Sequence, residues 1–265
     1  MSPQWRDEAT ALVSPRGAAL RFVRRGLRPA PRVTTHRRAE IPGAESWSAS
    51  VAAVADGLGS LPRATRCRVV VSSSFARYAL LPFSPTLIDR GANEALAAHV
   101  FRHIYGEQAD KWCYRVSPAA AGRKRLACAF DTALIGAVES AARGGGAALV
   151  AIEPAFVAAF NLARRDLPVS CWFAAVEEDR LVLGLLIGGQ WIHVAAERRA
   201  HWPDTALARV LARESLLVSP DLPYRDLPCW VARFDDSANI ALDRLDGRPS
   251  GKPAARAGAA AEEQA

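Results

Sequence analysis

The feature that most constrains the fold of this chain is the regular alternation of short apolar segments with segments of helical periodicity. Short apolar runs bounded by Gly, Pro and polar turns are typical of strands, and apolar residues spaced three and four apart are typical of amphipathic helices. The predicted strands cover residues 9–13, 18–23, 31–35, 66–72, 77–83, 111–116, 125–130, 147–152, 169–176, 180–187, 190–196 and 227–234. The predicted helices cover residues 46–58, 85–105, 132–143, 154–165 and 205–214. Because strand pairs alternate with helices, the sequence predicts an α/β fold with mixed sheets rather than one purely parallel sheet.

This alternation runs through most of the 265 residues and stops near residue 245. We therefore expect one domain over residues 1–245, followed by a flexible tail over residues 246–265, where Gly, Ala, Pro and charged residues dominate. The apolar stretch 144–163 is about as long as a membrane span, but Glu153 and Pro154 stand at its centre. We interpret it as a buried strand followed by a helix. The polar start of the chain predicts no signal peptide.

The cysteine pattern indicates small buried side chains rather than a metal site. The five cysteines are odd in number, lie far apart, form no CxxC pair and each stand in an apolar run, at Cys67, Cys113, Cys128, Cys171 and Cys229. We therefore expect free thiols in strands and a reducing, cytoplasmic compartment.

Three stretches give the chain a resemblance to a known group of proteins. VVVSSSFARYALLPF (69–83), LACAFDTALIGAVESA (126–141) and VAIEPAFVAAFNLARR (150–165) are similar to stretches of the actin-like ATPase superfamily. Within it, the chain resembles the cytoplasmic domain of the type II secretion L protein and the type IV pilus assembly protein PilM. The resemblance covers roughly residues 65–200. It implies a degenerate actin-like (ribonuclease H-like) domain of two lobes.

The same resemblance identifies two turns where an actin-like ATPase would hold phosphates, each an Asp-x-Gly turn of a β-hairpin. The first would be residues 13–17, which contain Gly17 but no Asp, and Pro15 removes an amide donor. The second would be residues 177–180, which contain three carboxylates and no glycine. There is also no GxxxxGK[ST] loop. We therefore expect no ATP turnover, no catalytic residues and no bound cofactor or metal.

Other patterns are explained better by structure than by chemistry. Residues 144–146 are three glycines that follow a helix, whereas a phosphate cradle needs glycines between a strand and a helix. His99 and His103 have the spacing of metal ligands, but Val100 stands where a zinc protease needs Glu, so a surface helix face is expected. The serines at 72–74 lack the glycines of a hydrolase elbow and predict a loop. Four tryptophans in predicted strands are expected in the core: Trp112, Trp172, Trp191 and Trp230.

Charge marks the start of the chain as the place to look for a partner. The chain has a net charge of +7, and its first 45 residues contain nine arginines against four carboxylates, a net charge of +5. Aromatic residues beside arginines suit an interface anchor. We therefore predict that an acidic partner or anionic surface binds a set of five residues: Arg24, Arg25, Arg37, Arg38 and Trp47. Nucleic acid is the less favoured partner, because the overall excess of positive charge is mild.

The resemblance implies a role as well as a fold. We expect a non-catalytic cytoplasmic scaffold at the inner face of the inner membrane, in a type IV pilus or type II secretion assembly platform. Its partner would be the cytoplasmic segment of a bitopic membrane protein, with a motor ATPase as a further candidate. No spanning helix follows the domain, which favours the PilM-like arrangement of a separate subunit recruited by its partner. The alternative is a nucleotide- or sugar-binding enzyme of the actin-like class with altered phosphate loops.

Overall fold

The computed structural model describes residues 7–24, 34–40, 46–85, 89–219, 224–234 and 240–245. The strands are β1 (Glu8–Ser14), β2 (Gly17–Val23), β3 (Thr34–Glu40), β4 (Arg66–Val71), β5 (Ala76–Leu81), β6 (Trp112–Val116), β7 (Arg125–Asp131), β8 (Ala148–Pro154), β9 (Cys171–Val176), β10 (Arg180–Ile187), β11 (Gln190–Arg198), β12 (Cys229–Phe234) and β13 (Ile240–Arg244). The helices are α1 (Trp47–Gly59), α2 (Arg90–Tyr105), α3 (Thr132–Gly144), α4 (Ala155–Ala163) and α5 (Asp204–Val218). Short 3-10 helices cover Gly106–Lys111 and Tyr224–Asp226.

The chain forms two compact units. The first contains the described residues of 1–76 and 130–155, and the second those of 77–129, 156–234 and 240–245. In the first unit a five-stranded sheet has the order β3-β2-β1-β4-β8. β1 pairs antiparallel with β2 and parallel with β4, while β4 pairs parallel with β8. Helix α1 packs against β1 and β2, and α3 packs against α1 and β8.

The second unit contains a five-stranded sheet and a three-stranded one. The larger sheet has the order β11-β10-β9-β12-β13, in which only the β9–β12 pair is parallel. The smaller sheet has the order β5-β7-β6. Its core joins α2 to the sheet through Phe101, Leu81 and Ala127, all fully buried. The fold class is therefore α/β with mixed sheets, as the sequence predicted.

Strands β9 and β10 are buried along almost their whole length because helices cover both faces of the larger sheet. On one face, Phe156 and Phe160 of α4 contact the rings of Phe173 and Trp191. On the other, Leu207 of α5 packs in a cluster with buried β9 and β10 side chains. Strands buried on both faces are continuous apolar runs in sequence, and the apolar runs at 169–176 and 180–187 predict β9 and β10 for this reason.

Helix α2 begins later than the sequence predicted. The prediction placed its start at residue 85, whereas the helix begins at Arg90. Asp89 is its N-cap, and the Asp89 carboxylate accepts a 2.7 Å hydrogen bond from the Ala92 amide. This cap satisfies an amide that otherwise has no helical partner, so it sets the helix start.

The structure differs from the predictions at three further places. The third strand, predicted at 31–35, lies at Thr34–Glu40 in the described part of the chain. Pro154, predicted in the first turn of a helix, ends β8 instead, so α4 begins at Ala155. The edge strand β13 was not predicted at all, because its residues IALDR are mostly exposed and resemble a solvated chain end. The predicted tail over residues 246–265 lies outside the described residues.

The interpretation of stretch 144–163 as strand and helix is confirmed, since β8 and α4 occupy most of it. In the described ranges, no helix is both long enough and apolar enough to cross a bilayer. All five cysteines lie in strands as free thiols, and four of them are buried. Of the tryptophans expected in the core, Trp172 is fully buried, while Trp112, Trp191 and Trp230 are half-buried.

Candidate functional site

The turn between β1 and β2 is held by hydroxyl groups of the chain itself. The Ser14 hydroxyl donates to the Gly17 carbonyl at 2.8 Å, and the Ser50 hydroxyl of α1 donates to the Ser14 carbonyl at 2.7 Å. Pro15 and the exposed Arg16 form the tip of the turn. Pro15 supplies no amide hydrogen, so this turn offers a phosphate fewer backbone donors than an Asp-x-Gly turn.

The turn between β9 and β10 is closed by a hydrogen bond from the Glu177 amide to the Arg180 carbonyl, at 2.8 Å. Both Glu177 and Asp179 are buried. The Asp179 carboxylate lies 3.3 Å from the guanidinium of Arg198, and its carbonyl accepts a 2.9 Å hydrogen bond from the Arg199 amide. These contacts direct the Asp179 side chain toward β11 rather than outward from the turn.

Cations surround this second turn, a feature that the sequence prediction did not include. Burial lowers the pKa of Arg180, and the nearby charge of Arg77 lowers it further, while Asp179 and Glu177 act in the opposite direction. Arg77 and Arg180 therefore lie within electrostatic reach of each other. The three carboxylates of the turn would repel a phosphate group, and the neighbouring arginines reduce this repulsion. The absence of glycine from the turn remains the stronger departure from the phosphate-binding pattern.

The serines at 72–74 lie in a loop, and the two histidines of α2 lie on an exposed helix face. Ser72 and Ser73 are buried at the end of β4, and the Ser72 hydroxyl accepts a 3.1 Å hydrogen bond from the Ser74 amide, as expected for a loop. His99 and His103 lie exposed on α2. No group of three His, Cys, Asp or Glu side chains that could hold a metal ion occurs among the residues that the structure describes.

The structure places four of the five predicted partner-binding residues in or directly after β2, in β3 and at the start of α1. Arg24 is exposed directly after β2, and Arg25 lies outside the described residues. Arg37 and Arg38 lie in β3, where they pair with Leu20 and Ala19 of β2. β3 is an edge strand, because within the described residues only β2 pairs with it. Trp47 is the half-buried first residue of α1.

These residues do not form a single compact patch. Ser50 contacts Ser14 beside the β1–β2 turn, so the start of α1, with Trp47, lies at the turn end of the hairpin. Arg24 follows Val23, which pairs with Glu8 at the opposite end. Seven residues of β2 separate the two ends, roughly 20 Å along the strand. Arg37 and Arg38 lie between them.

A charged network between α5 and β11 was not predicted from the sequence. The carboxylate of Glu214 lies 2.8 Å from the Nε2 atom of His193, and the Arg213 guanidinium donates to Glu214 and Glu197, each at 2.7 Å. The network borders a cavity of about 280 Å³ that is otherwise lined by apolar side chains such as Leu183. The helical spacing of the sequence indicates that Glu214 faces the core, because it follows the core residues Leu207 and Val210 by seven and four positions.

No family model matches this sequence, and neither does any curated protein. Solved structures show its fold. The cytoplasmic domain of EpsL, an inner-membrane component of the type II secretion system of Vibrio cholerae, aligns with a TM-score of 0.56 at 10% identity, over 86% of this chain and 82% of that one. A Bacteroides thetaiotaomicron protein of unknown function with an actin-like ATPase fold aligns with a TM-score of 0.55 at 11% identity, over 82% and 80%.

A PilM–PilN type IV pilus biogenesis complex gives a third similar structure, with a TM-score of 0.53 at 16% identity. This alignment covers 78% of the present chain and 65% of the other. The chain therefore has the actin-like ATPase fold, and its structural neighbours include the two groups that the sequence resembles.

Proposed function

We propose that this protein is a non-catalytic cytoplasmic scaffold of a type IV pilus or type II secretion assembly platform at the inner membrane. It binds the cytoplasmic segment of a bitopic membrane protein, and a motor ATPase is a further candidate partner. Two of the solved structures with the same fold come from such machines. Fold alone does not determine function, so the proposal depends on the turns described above.

The observation that carries the proposal is the state of the two hairpin turns. At the first turn, Pro15 has no amide hydrogen to donate. The hydroxyl groups of Ser14 and Ser50 already donate hydrogen bonds to carbonyl groups of the chain itself. At the second, Asp179 is buried against Arg198 instead of facing a metal ion. ATP turnover needs donors that converge on phosphates and a carboxylate that organises the cation. Neither turn supplies this combination.

The hairpin edge is the surface that best suits an acidic partner segment. Arg37 and Arg38 stand in the middle of the edge strand β3, with Arg24 at one end of the hairpin and Trp47 at the other. A partner that lies along the strand would meet all of them, whereas a partner that touches one point would not. Edge strands also offer unpaired backbone groups to an extended segment.

A pull-down from membranes of the native organism tests the partner. We expect the tagged wild-type chain to capture a bitopic inner-membrane protein, and the Arg37→Glu/Arg38→Glu variant to lose it. The control is Arg123→Glu/Lys124→Glu, which changes the same charge in the turn between β6 and β7. Capture of no inner-membrane protein by the wild type, or equal capture by both variants, would contradict the proposal.

Nucleotide binding separates the scaffold from an enzyme of the actin-like class. We expect no binding of a fluorescent ATP analogue with magnesium at micromolar concentration. The arginines around the second turn are the feature that favours the enzyme, so binding that is lost in Arg180→Ala would support the enzyme and contradict the scaffold. A steep dependence of DNA affinity on salt would instead identify a nucleic-acid binder.

A further inference from the structure

Three aliphatic side chains of the second unit are each more than 60% exposed to solvent, although transfer of apolar groups out of water favours their burial. Val169 has 72% of its surface exposed, Leu216 62% and Leu217 69%. Single exposed aliphatic residues are common, but a group of them at one place marks an interaction surface. Their positions in the fold decide whether they form such a group.

Val169 lies at the end of the larger sheet where the β10–β11 turn projects. The Gly189 amide of that turn donates a 2.6 Å hydrogen bond to the Val169 carbonyl, and the Gly188 amide donates to the Ser170 hydroxyl at 3.0 Å. Both glycines have positive φ angles, +56° and +73°, as a tight two-residue hairpin turn requires. A Cβ atom at either position would meet no atom within 4 Å, so the turn projects into open space.

Helix α5 brings the two leucines to the same end of this sheet. At the start of α5, Asp204 pairs with Arg233 near the C-terminal end of β12. Ten residues later, Glu214 contacts His193 near the start of β11, which follows the β10–β11 turn. The helix therefore runs toward that turn. Val218 packs against the core, which fixes the end of the helix, while Leu216 and Leu217 remain exposed.

Two arginines accompany the aliphatic side chains. The ring of Phe160 in α4 contacts that of Trp191, the second residue of β11, with ring centroids 4.7 Å apart. Arg164 and Arg165 follow the end of α4 and precede Val169 by five and four residues, and both are exposed. Neither forms an ion pair with any other described residue, although the exposed Asp166 follows them in sequence. We call the set Arg164, Arg165, Val169, Leu216 and Leu217 the sheet tip.

We infer that the sheet tip binds the surface of an anionic membrane directly. The tip combines a loop and a helix end beside a hairpin turn that projects into open space, and two exposed arginines lie at the same end of the sheet as its aliphatic side chains. A bilayer surface needs no matching groove, because aliphatic side chains enter the boundary between headgroups and acyl chains wherever they project. Exposed arginines at the same end of the sheet meet anionic headgroups.

This inference is independent of the proposed partner and of the hairpin edge in the first unit. It assigns to the second unit a contact with lipid itself, which would operate without any membrane protein. Contact through a few side chains gives only weak, reversible binding to a membrane. Stable anchoring of a protein needs a second signal. The protein partner of the proposed scaffold would supply that second signal.

Flotation of the purified full chain with protein-free vesicles tests the inference. We expect the chain to float with vesicles that contain phosphatidylglycerol and to remain unbound with pure phosphatidylcholine. Leu216→Ser/Leu217→Ser should weaken binding to the anionic vesicles by at least about tenfold. Each substitution removes the favourable free energy of transferring a leucine side chain from water into the membrane. Arg164→Glu/Arg165→Glu should weaken it as well, and added salt should act on the wild type in the same direction.

The matched control is Ile104→Ser, which removes an aliphatic side chain that is 55% exposed on α2, outside the sheet tip. It should float as the wild type does, and all variants should keep the wild-type melting temperature. Equal flotation of the tip variants and the control would overturn the inference, as would a wild type that does not float. A wild-type dimer in sedimentation velocity that Leu216→Ser/Leu217→Ser converts to a monomer would also overturn it, since the tip would then bind a second copy.

Discussion

Gly145 lies directly against Leu58, where the end of α3 meets the end of α1. A Cβ atom at position 145 would lie 2.7 Å from the Leu58 Cβ and 3.1 Å from the Gly59 amide nitrogen. Contacts below 3.0 Å require atoms to move, and here the neighbours include backbone, which cannot rotate away. The glycine at 145 is therefore required by helix packing rather than by a phosphate.

The substitution Gly145→Ala should destabilise the first unit by about 1–3 kcal/mol, the usual cost of overpacking. Urea unfolding followed by circular dichroism measures this. The control is the neighbouring Gly144→Ala, because a Cβ at position 144 meets nothing within 4 Å and alanine favours the helix. Equal destabilisation by the two substitutions would contradict the packing argument.

The substitution Glu214→Ala should cost about 1–3 kcal/mol of unfolding free energy, because His193 loses its carboxylate partner and Arg213 keeps only Glu197. Glu214→Gln keeps the shape and should cost less. Glu139→Ala on the exposed face of α3 provides the control, with an expected change within about 0.5 kcal/mol. A Glu214→Ala variant as stable as this control would show that the network contributes nothing to stability.

The buried thiols should make the folded chain less stable above pH 9. Burial raises the pKa of Cys67 and Cys171 from 9.0 to about 11, and that of Cys128 and Cys229 to about 12. Below pH 9 the thiols are protonated in both states. Above it the unfolded chain releases protons that the folded chain retains, so stability falls by up to about 1.4 kcal/mol per pH unit for each thiol.

Urea unfolding at several pH values between 8 and 11 measures this dependence. The Cys67→Ala/Cys171→Ala variant should show a shallower fall than the wild type, since two of the four shifted thiols are gone. Parallel curves for the two proteins would mean that other groups, such as tyrosines or lysines, cause the loss of stability.

Thiol accessibility gives a separate measurement. A thiol reagent at neutral pH should label one cysteine quickly, the half-buried Cys113, and the other four only as the chain unfolds. In denaturant, the reagent should label all five cysteines quickly. Rapid labelling of a second thiol in folded protein would show that one of the buried strands opens readily.

Periodicity predicted most of the fold because the elements with the clearest patterns are also the most buried. β9 and β10 are apolar throughout, since helices cover both of their faces, and this continuous pattern fixed their positions closely. The start of α2 was misplaced because Pro85 resembles a helix start, whereas the cap at Asp89 determines it. Edge strands such as β13 bury one side or less and leave little pattern in the sequence.

The candidate sites were harder to predict than the fold. Both hairpin turns were located correctly along the chain, but the arginines around the second turn come from β5 and β11. The sheet tip likewise joins a loop, a turn and a helix end. Such sites depend on which chain segments meet in space, and no local pattern records that.

The strand orders and the two compact units have a consequence for how the chain can be divided. In each five-stranded sheet the first three strands form a meander, the fourth returns beside the first, and the fifth follows the fourth. The two sheets differ at the fifth strand, because β8 lies parallel to β4 whereas β13 lies antiparallel to β12. Residues 77–129 lie in sequence between β4 and β8 of the first unit but belong to the second unit, so no single break of the chain separates the two units.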